Sequence, residues 1–160
     1  MILPANPDKN IPLQKLIEQF SHYVKEHYGT ELHVFRYHGR HNNLNGLKLD
    51  QLIEILNQHP DLKGTGLTLR SHSRKRLLVD IKKVYSKIAS DMGFHLTLIG
   101  EKIGNDYTTI IHHRDDCTML LETDVSFNTF FFNTIDIITK NPVFKDEPSI
   151  KVYYLSRLVA

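Results

Sequence analysis

"LIGEKIGNDYTTIIHH", residues 98–113, contains two glycines between short apolar runs and no proline. The apolar spacing before the second glycine predicts a short helix over residues 96–103, and Gly104 is a typical residue to end it. Asn105 or Asp106 then suits the N-cap of a following helix over residues 106–122. The stretch therefore predicts two helices joined by a tight turn.

Apolar residues at helical spacing predict further helices on both sides of this pair, over residues 12–28, 47–58, 74–92 and 125–140. Ser73 is the predicted cap of the long third helix, and Asp124 is the predicted cap of the last one. The core stripe of the third helix is expected to be Leu77, Ile81, Val84 and Ile88, widened by Leu78, Tyr85 and Met92. The expected fold class is mostly α, with a helical or α/β segment at the N-terminus.

Two segments have the composition of strands. The stretch ELHVFRY, residues 31–37, alternates polar and apolar residues and predicts a weak strand. The tail PSIKVYYLSRLVA, residues 148–160, is rich in strand-forming residues and is expected to pair with residues 31–37 or to dock on the helices. The predicted organisation is an N-terminal segment over 1–62, a basic linker over 63–73, a helical domain over 74–140 and a tail over 141–160.

The composition is that of an ordinary globular protein, with 41% hydrophobic and 24% charged residues. No apolar run approaches the ~18 residues of a membrane span, and the N-terminus does not resemble a secretory signal. We therefore expect a cytoplasmic protein without a membrane partner. The single cysteine, Cys117, excludes an internal disulfide, and we expect it on the inner face of its helix.

Positive charge is concentrated in one segment of a chain whose net charge is only +2. Between residues 70 and 87 a single acid, Asp80, stands against seven bases: Arg70, Arg74, Lys75, Arg76, Lys82, Lys83 and Lys87. Lys82, Lys83 and Lys87 face away from the predicted core stripe, so we expect them on a solvated face. The net charge is too small to indicate nucleic-acid binding by itself, but the distribution of charge matters more than the sum.

Residues 99–113, IGEKIGNDYTTIIHH, resemble the signature of the C-terminal DNA-binding domain of the bacterial chromosomal replication initiator family, DnaA. The similarity covers residues 70–140 and implies a helix–turn–helix, a helical module of the Trp-repressor kind. The matching residues are Ile99, Gly100, Ile103, Gly104, Asp106, Thr108, Thr109, Ile110, Ile111 and His112. The chain departs from the family pattern at Asn105 and Tyr107, where the family has Arg and His, so we do not expect the family's own recognition sequence.

The resemblance implies a role for each polar residue near the turn. Phosphates would be gripped by Arg70, Arg74, Lys75 and Arg76, with Lys102 adding a backbone contact and His112 a further phosphate contact. At the start of the second helix, Asp106 would read a base, and Thr108 and Thr109 would contact bases or phosphate. Tyr107 would hydrogen-bond a phosphate or stack, and Asn105 belongs to the same DNA-binding set.

The predicted function is binding of double-stranded DNA in replication initiation or transcription regulation, in the nucleoid of a bacterial or phage-infected cell. No GxxxxGK[ST] motif occurs, so we expect no ATPase, and no enzyme activity, metal or other cofactor is predicted. The N-terminal segment would mediate dimerisation or bind a replication protein. One alternative is a protein–protein interaction module that has lost DNA recognition. A weaker one is a metal-dependent nuclease using His33, His38 and His41.

Overall fold

A computed structural model describes residues 13–29 and 44–159 of the chain. The chain divides into two compact units, residues 1–37 and 38–160. In the first unit the described element is helix α1 (Leu13–Tyr28), which ends before Gly29, a residue with a positive φ of 64°. Its apolar side chains Ile17, Phe20 and Val24 follow helical spacing and are half-buried.

The second unit is built from seven helices in its described part. They are α2 (Leu44–Asn57), α3 (Arg76–Asp91), α4 (Leu96–Ile103), α5 (Tyr107–Thr123), α6 (Val125–Thr139), α7 (Pro142–Lys145) and α8 (Pro148–Val159). Across residues 13–29 and 44–159 there is no strand. The prediction of a mostly α chain is therefore confirmed for these ranges.

Helix α3 lies at the centre of this unit and contacts α2, α4, α5, α6 and α8. Its fully buried apolar residues are Leu78, Ile81, Val84, Tyr85, Ile88 and Ala89. Three residues of the predicted stripe, Ile81, Val84 and Ile88, are thus confirmed in the core, and the fourth, Leu77, is partly buried against it. The Tyr85 hydroxyl, buried beneath α4, donates to the carbonyl oxygen of Ile99 at 3.1 Å and satisfies its own hydrogen bond.

Side-chain caps begin the later helices. Asp106 Oδ1 accepts from the backbone N–H of Thr109 at 2.6 Å, and Asp124 Oδ1 accepts from Phe127 at 3.0 Å. Both caps were predicted. The expected cap at Ser73 was wrong: α3 begins at Arg76, no side chain caps it, and Ser73 Oγ instead accepts from the N–H of Lys75 at 3.3 Å.

The strand predicted in the C-terminal tail is also wrong, because residues 148–159 form α8. Ile150 and Tyr153 are three residues apart, so they share one side of this helix. Ile150 is buried, and the Tyr153 ring meets Phe131 edge to face with ring centroids 5.0 Å apart. Tertiary burial thus overrides the strand preference of the tail. The tail docks on the other helices, as the second of the two expectations stated. The strand predicted over 31–37 lies outside the described residues.

The division at residue 37 differs from the predicted domain boundary at residue 62. Helix α2 belongs to the second unit, where Leu49, Leu52 and Leu56 are buried in the shared core. The segment after α2 is packed as well, because Leu69 is buried and its N–H donates to Asn57 Oδ1 at 2.8 Å. Glycines and polar residues suggested a linker, whereas this leucine anchors the segment.

Candidate nucleic-acid interface

Three residues, Gly104 to Asp106, join α4 to α5. Gly104 has the left-handed φ of 72°, and its N–H donates to Glu101 O at 3.3 Å. Asn105 is half-buried, and its N–H donates to Gly100 O at 3.0 Å. A Cβ on Gly100 would stand 2.4 Å from the carbonyl oxygen of Asn105, so only glycine allows the turn to fold back this closely. Both glycines are therefore required by the junction itself.

The start of α5 presents a small exposed polar surface. Tyr107, Thr108 and His112 are exposed, and Thr108 and His112 lie four residues apart on one side of the helix. Asp106 is exposed too, but hydrogen bonds from the backbone and side chain of Thr109 stabilise its charged form and lower its pKa. Asp106 and the half-buried Thr109 thus satisfy each other as a cap, which leaves the other three side chains to face a partner.

The basic loop, defined as residues 68–75, is brought to this turn by a contact across 32 positions of the sequence. Arg70 Nε donates to the carbonyl oxygen of Lys102 at 3.0 Å, one residue before the end of α4. The loop is held from its other side by Lys82, whose Nζ donates to Ser71 O at 2.8 Å. A short turn inside it is closed by Ser71 Oγ, which accepts from Thr68 N–H at 2.9 Å. The loop is therefore anchored at several points.

The predicted phosphate-binding residues differ in how much of their charge is neutralised. Arg76 is 80% exposed but lies between Asp80, at 3.6 Å, and Asp124, at 3.5 Å. Arg74 and Lys75 are exposed, and neither has an ion-pair partner within the described ranges 13–29 and 44–159. Together with Arg70, these two residues carry most of the uncompensated positive charge of the basic loop.

Lys102, also predicted to contact DNA, is held by α2. Its Nζ lies 2.9 Å from both carboxylate oxygens of Asp50. Asp50 thus lies at the predicted site, although the resemblance did not indicate an acidic residue there. Asp50 precedes Lys102 by 52 positions, and no local sequence pattern connects the two.

The three α3 lysines were expected on a solvated face, and this expectation was wrong. Lys82 is only 5% exposed, and burial lowers its pKa. Lys83 Nζ lies 3.6 Å from Asp116 Oδ2, and Lys87 Nζ lies 3.0 Å from Asp91 Oδ1. A spacing signal for Lys82 was present, since it follows the buried Leu78 by four residues and precedes the buried Tyr85 by three.

The adjacent histidines of α5 have different environments, because neighbouring residues on a helix point about 100° apart. His112 is exposed, whereas the Nδ1 atom of His113 is buried and has no hydrogen-bond partner in the described part of the chain. Burial, followed by the charges of Lys82 and Lys83, lowers the pKa of His113 to about 4. Burial also raises the pKa of the Cys117 thiol to about 12, so this cysteine lies on the inner face as expected and is a poor nucleophile.

Charge is unevenly distributed along α5. Its first turn carries only the capping Asp106, whereas its second half carries three acids, Asp115, Asp116 and Glu122, with Arg114 Nε 2.8 Å from Asp115 Oδ1. Asp116 is paired with Lys83 of α3, and Asp124, directly after α5, is paired with Arg76. The start of α5 is therefore the less acidic end of the helix, whereas the last residues of the basic loop lie near its other end.

Neither a metal site nor a membrane-spanning helix is present among the described residues. No three His, Cys, Asp or Glu side chains there come together as a metal site requires, and the histidines proposed for a nuclease, His33, His38 and His41, lie outside those residues. None of the described helices has the length and hydropathy needed to cross a bilayer. No family model, no curated protein and no solved structure matches the chain.

Proposed function

We propose that the chain binds double-stranded DNA through the α4–turn–α5 pair and the basic loop of residues 68–75. The observation that supports this most directly is the hydrogen bond from Arg70 Nε to Lys102 O. It sets the Arg70 end of the basic loop beside the end of α4, two residues before the turn that leads to the exposed start of α5. Nucleic-acid readers need this combination, because cations on phosphate supply affinity and a helix end supplies base contacts.

In this proposal the pair acts as a helix–turn–helix of the kind that the resemblance to the replication initiator family implies. The N-terminal end of α5 enters the major groove, where Tyr107, Thr108 and His112 meet base edges or nearby phosphates. Asp106 keeps its capping role. Arg70, Arg74 and Lys75 contact the backbone. The resulting activity is that of an initiator-like or regulatory DNA-binding factor. The first unit then mediates dimerisation or binds a protein partner.

The phosphate contacts are tested with the double variant Arg74→Ala, Lys75→Ala in fluorescence-anisotropy titrations of a random duplex at 50 and 200 mM salt. Each lost phosphate contact flattens the logarithmic salt slope by about 0.9, so the pair should flatten it by about 1.8 and weaken binding to all duplexes alike.

The matched control is Lys140→Ala. Lys140 is exposed at the end of α6 opposite to Asp124, roughly 24 Å from it at 1.5 Å per residue. This variant should keep the wild-type slope. Equal slopes for all three proteins, or no binding of the wild type at low salt, would contradict the proposal.

Base reading is tested separately by selecting random duplexes on the wild type and on Thr108→Val. Thr108 is exposed and its side chain is not the one that donates to the Asp106 cap, so its replacement should change the selected sequence more than the general affinity. An identical selected motif for both proteins would remove Thr108 from the reading surface.

A second candidate function is protein binding, and a specific feature favours it. Met119 and Val125, at the acidic end of α5 and the start of α6, are 54% and 84% exposed. Exposed apolar side chains among acids are typical of a surface for a basic, partly apolar protein partner. The absence of duplex binding at 50 mM salt would favour this function over the first.

A further inference from the structure

One charged pair connects α2 to the turn of the proposed interface. Lys102 Nζ lies 2.9 Å from both carboxylate oxygens of Asp50, while the Lys102 carbonyl accepts from Arg70 Nε at 3.0 Å. The same residue therefore anchors the basic loop through its backbone and is neutralised by α2 through its side chain. The Lys102 side chain is 25% exposed and that of Asp50 is 47% exposed, so both can be reached from solvent.

The position of the pair determines whether the Lys102 charge can reach a phosphate of the DNA. Lys102 lies two residues before Gly104, at the point where α4 leads into the proposed recognition end of α5. A lysine there is well placed to contact a phosphate, but its three donors are shared with a carboxylate that also repels phosphate. The charge of Lys102 is available to DNA only when the contact with Asp50 is given up.

We propose that Asp50 restrains duplex binding by holding Lys102 away from the phosphate backbone. This inference rests on the proposed function and assigns α2 a regulatory role at the same site. In the wild-type complex the pair stays closed, and Lys102 contributes no phosphate contact. Removal of the Asp50 charge releases the ammonium group, which then adds one contact to the complex.

The test is a cycle of variants, Asp50→Asn, Lys102→Met and both together, titrated with one random duplex at 50 and 200 mM salt. Asp50→Asn should bind more tightly than the wild type. Since one added phosphate contact steepens the salt slope by about 0.9, its advantage should shrink roughly 3.5-fold between the two salt concentrations. The double variant should return to the wild-type affinity and slope, because it removes the attraction and the restraint together.

Glu101→Gln is the matched control. Glu101 is exposed, precedes Lys102 directly and has no ion-pair partner in residues 13–29 or 44–159. Its replacement therefore removes one negative charge, as Asp50→Asn does, without releasing a lysine. An equal gain in Glu101→Gln and Asp50→Asn would overturn the inference and indicate a general field effect. A double variant whose slope falls below that of the wild type would overturn it as well, since Lys102 would then already contact phosphate.

The outcomes separate this inference from the proposed function. Wild-type binding with no gain in Asp50→Asn overturns the restraint alone, whereas no binding by either protein at 50 mM salt overturns both. Circular dichroism of each variant shows whether it has folded. Because the pair is partly exposed, we expect the wild-type helical signal in all four variants.

Discussion

At the scale of single residues, the least usual group is the imidazole of His113. It lies on α5 against α3, and its buried Nδ1 has no hydrogen-bond partner in residues 13–29 and 44–159. Lys82 and Lys83 are among the charges that act on it, so a protonated imidazole would be a third cation next to two ammonium groups and the neutral form is favoured. His112, one position earlier, is exposed. Burial therefore distinguishes two chemically identical neighbours.

This difference predicts a specific loss of stability in acid. The unfolded chain takes up a proton at His113 below about pH 6.5, whereas the folded chain takes it up only near pH 4. The unfolded state binds more protons between these values, so the free energy of unfolding falls as the pH falls. In urea titrations, His113→Leu should lose about 2 kcal/mol less than the wild type between pH 7 and pH 4.5.

The control for this measurement is His112→Gln, which removes the exposed neighbouring histidine and leaves His113 in place. Some acid sensitivity should remain in every variant, because burial also lowers the pKa of His59, against the opposing charge of Asp61. Parallel curves for His113→Leu and the wild type would mean that His113 is protonated in the folded chain at the same pH as in the unfolded one.

At the scale of elements, the turn between α4 and α5 depends on two glycines for different reasons. Gly104 needs its left-handed backbone, with open space around an added Cβ, whereas Gly100 has an ordinary helical backbone but no room. The nearest atom to a Cβ on Gly100 is the carbonyl oxygen of Asn105, which cannot rotate away as a side chain does. The steric requirement should therefore outweigh the conformational one.

We accordingly expect Gly100→Ala to lower the free energy of unfolding by about 2–3 kcal/mol, as overpacking does. Gly104→Ala should lower it by about 1 kcal/mol, and Gly104→Asn by less, since asparagine adopts the left-handed conformation more readily. Urea unfolding at pH 7 measures all three. A larger loss in Gly104→Ala than in Gly100→Ala would show that the turn relaxes away from α4.

At the scale of the whole molecule, the helices after the turn close the core of the second unit. Helix α8 brings Ile150 into the same apolar cluster as the leucines of α2, and the Tyr153 hydroxyl donates to Asp91 at the end of α3. Lys48 of α2 forms an ion pair with Glu147, just before α8. Helices α2 and α8 therefore both pack against the core of the second unit.

Ile150→Ala should consequently destabilise the unit by about 2–4 kcal/mol, the usual range for truncating a buried isoleucine. The exposed neighbour Val152 provides the comparison, and Val152→Ala should change the free energy of unfolding by less than about 0.5 kcal/mol. Urea unfolding monitored by circular dichroism distinguishes them. Equal effects of the two substitutions would mean that α8 is not part of the cooperative core.

The sequence by itself determined the helices around the turn, their caps at Asp106 and Asp124, and the end of α4 at Gly104. These features depend on residues a few positions apart, whose periodicity and hydrogen-bonding groups can be recognised locally. The helical tail was mispredicted, because a strand preference does not reveal what distant helices bury. Nor did the pair of glycines before Leu69 indicate that this leucine is buried.

Only the tertiary structure decided which charges of the candidate site are neutralised. Arg70 reaches the end of α4 across 32 positions, Lys102 reaches Asp50 across 52, and Lys82 turns inward to Ser71. Of the basic residues predicted from the sequence to contact phosphate, Arg70, Arg74 and Lys75 remain exposed without an ion-pair partner among the described residues. The physical reason is that an ion pair depends on distances in space, which the packing of the helices sets and local sequence does not.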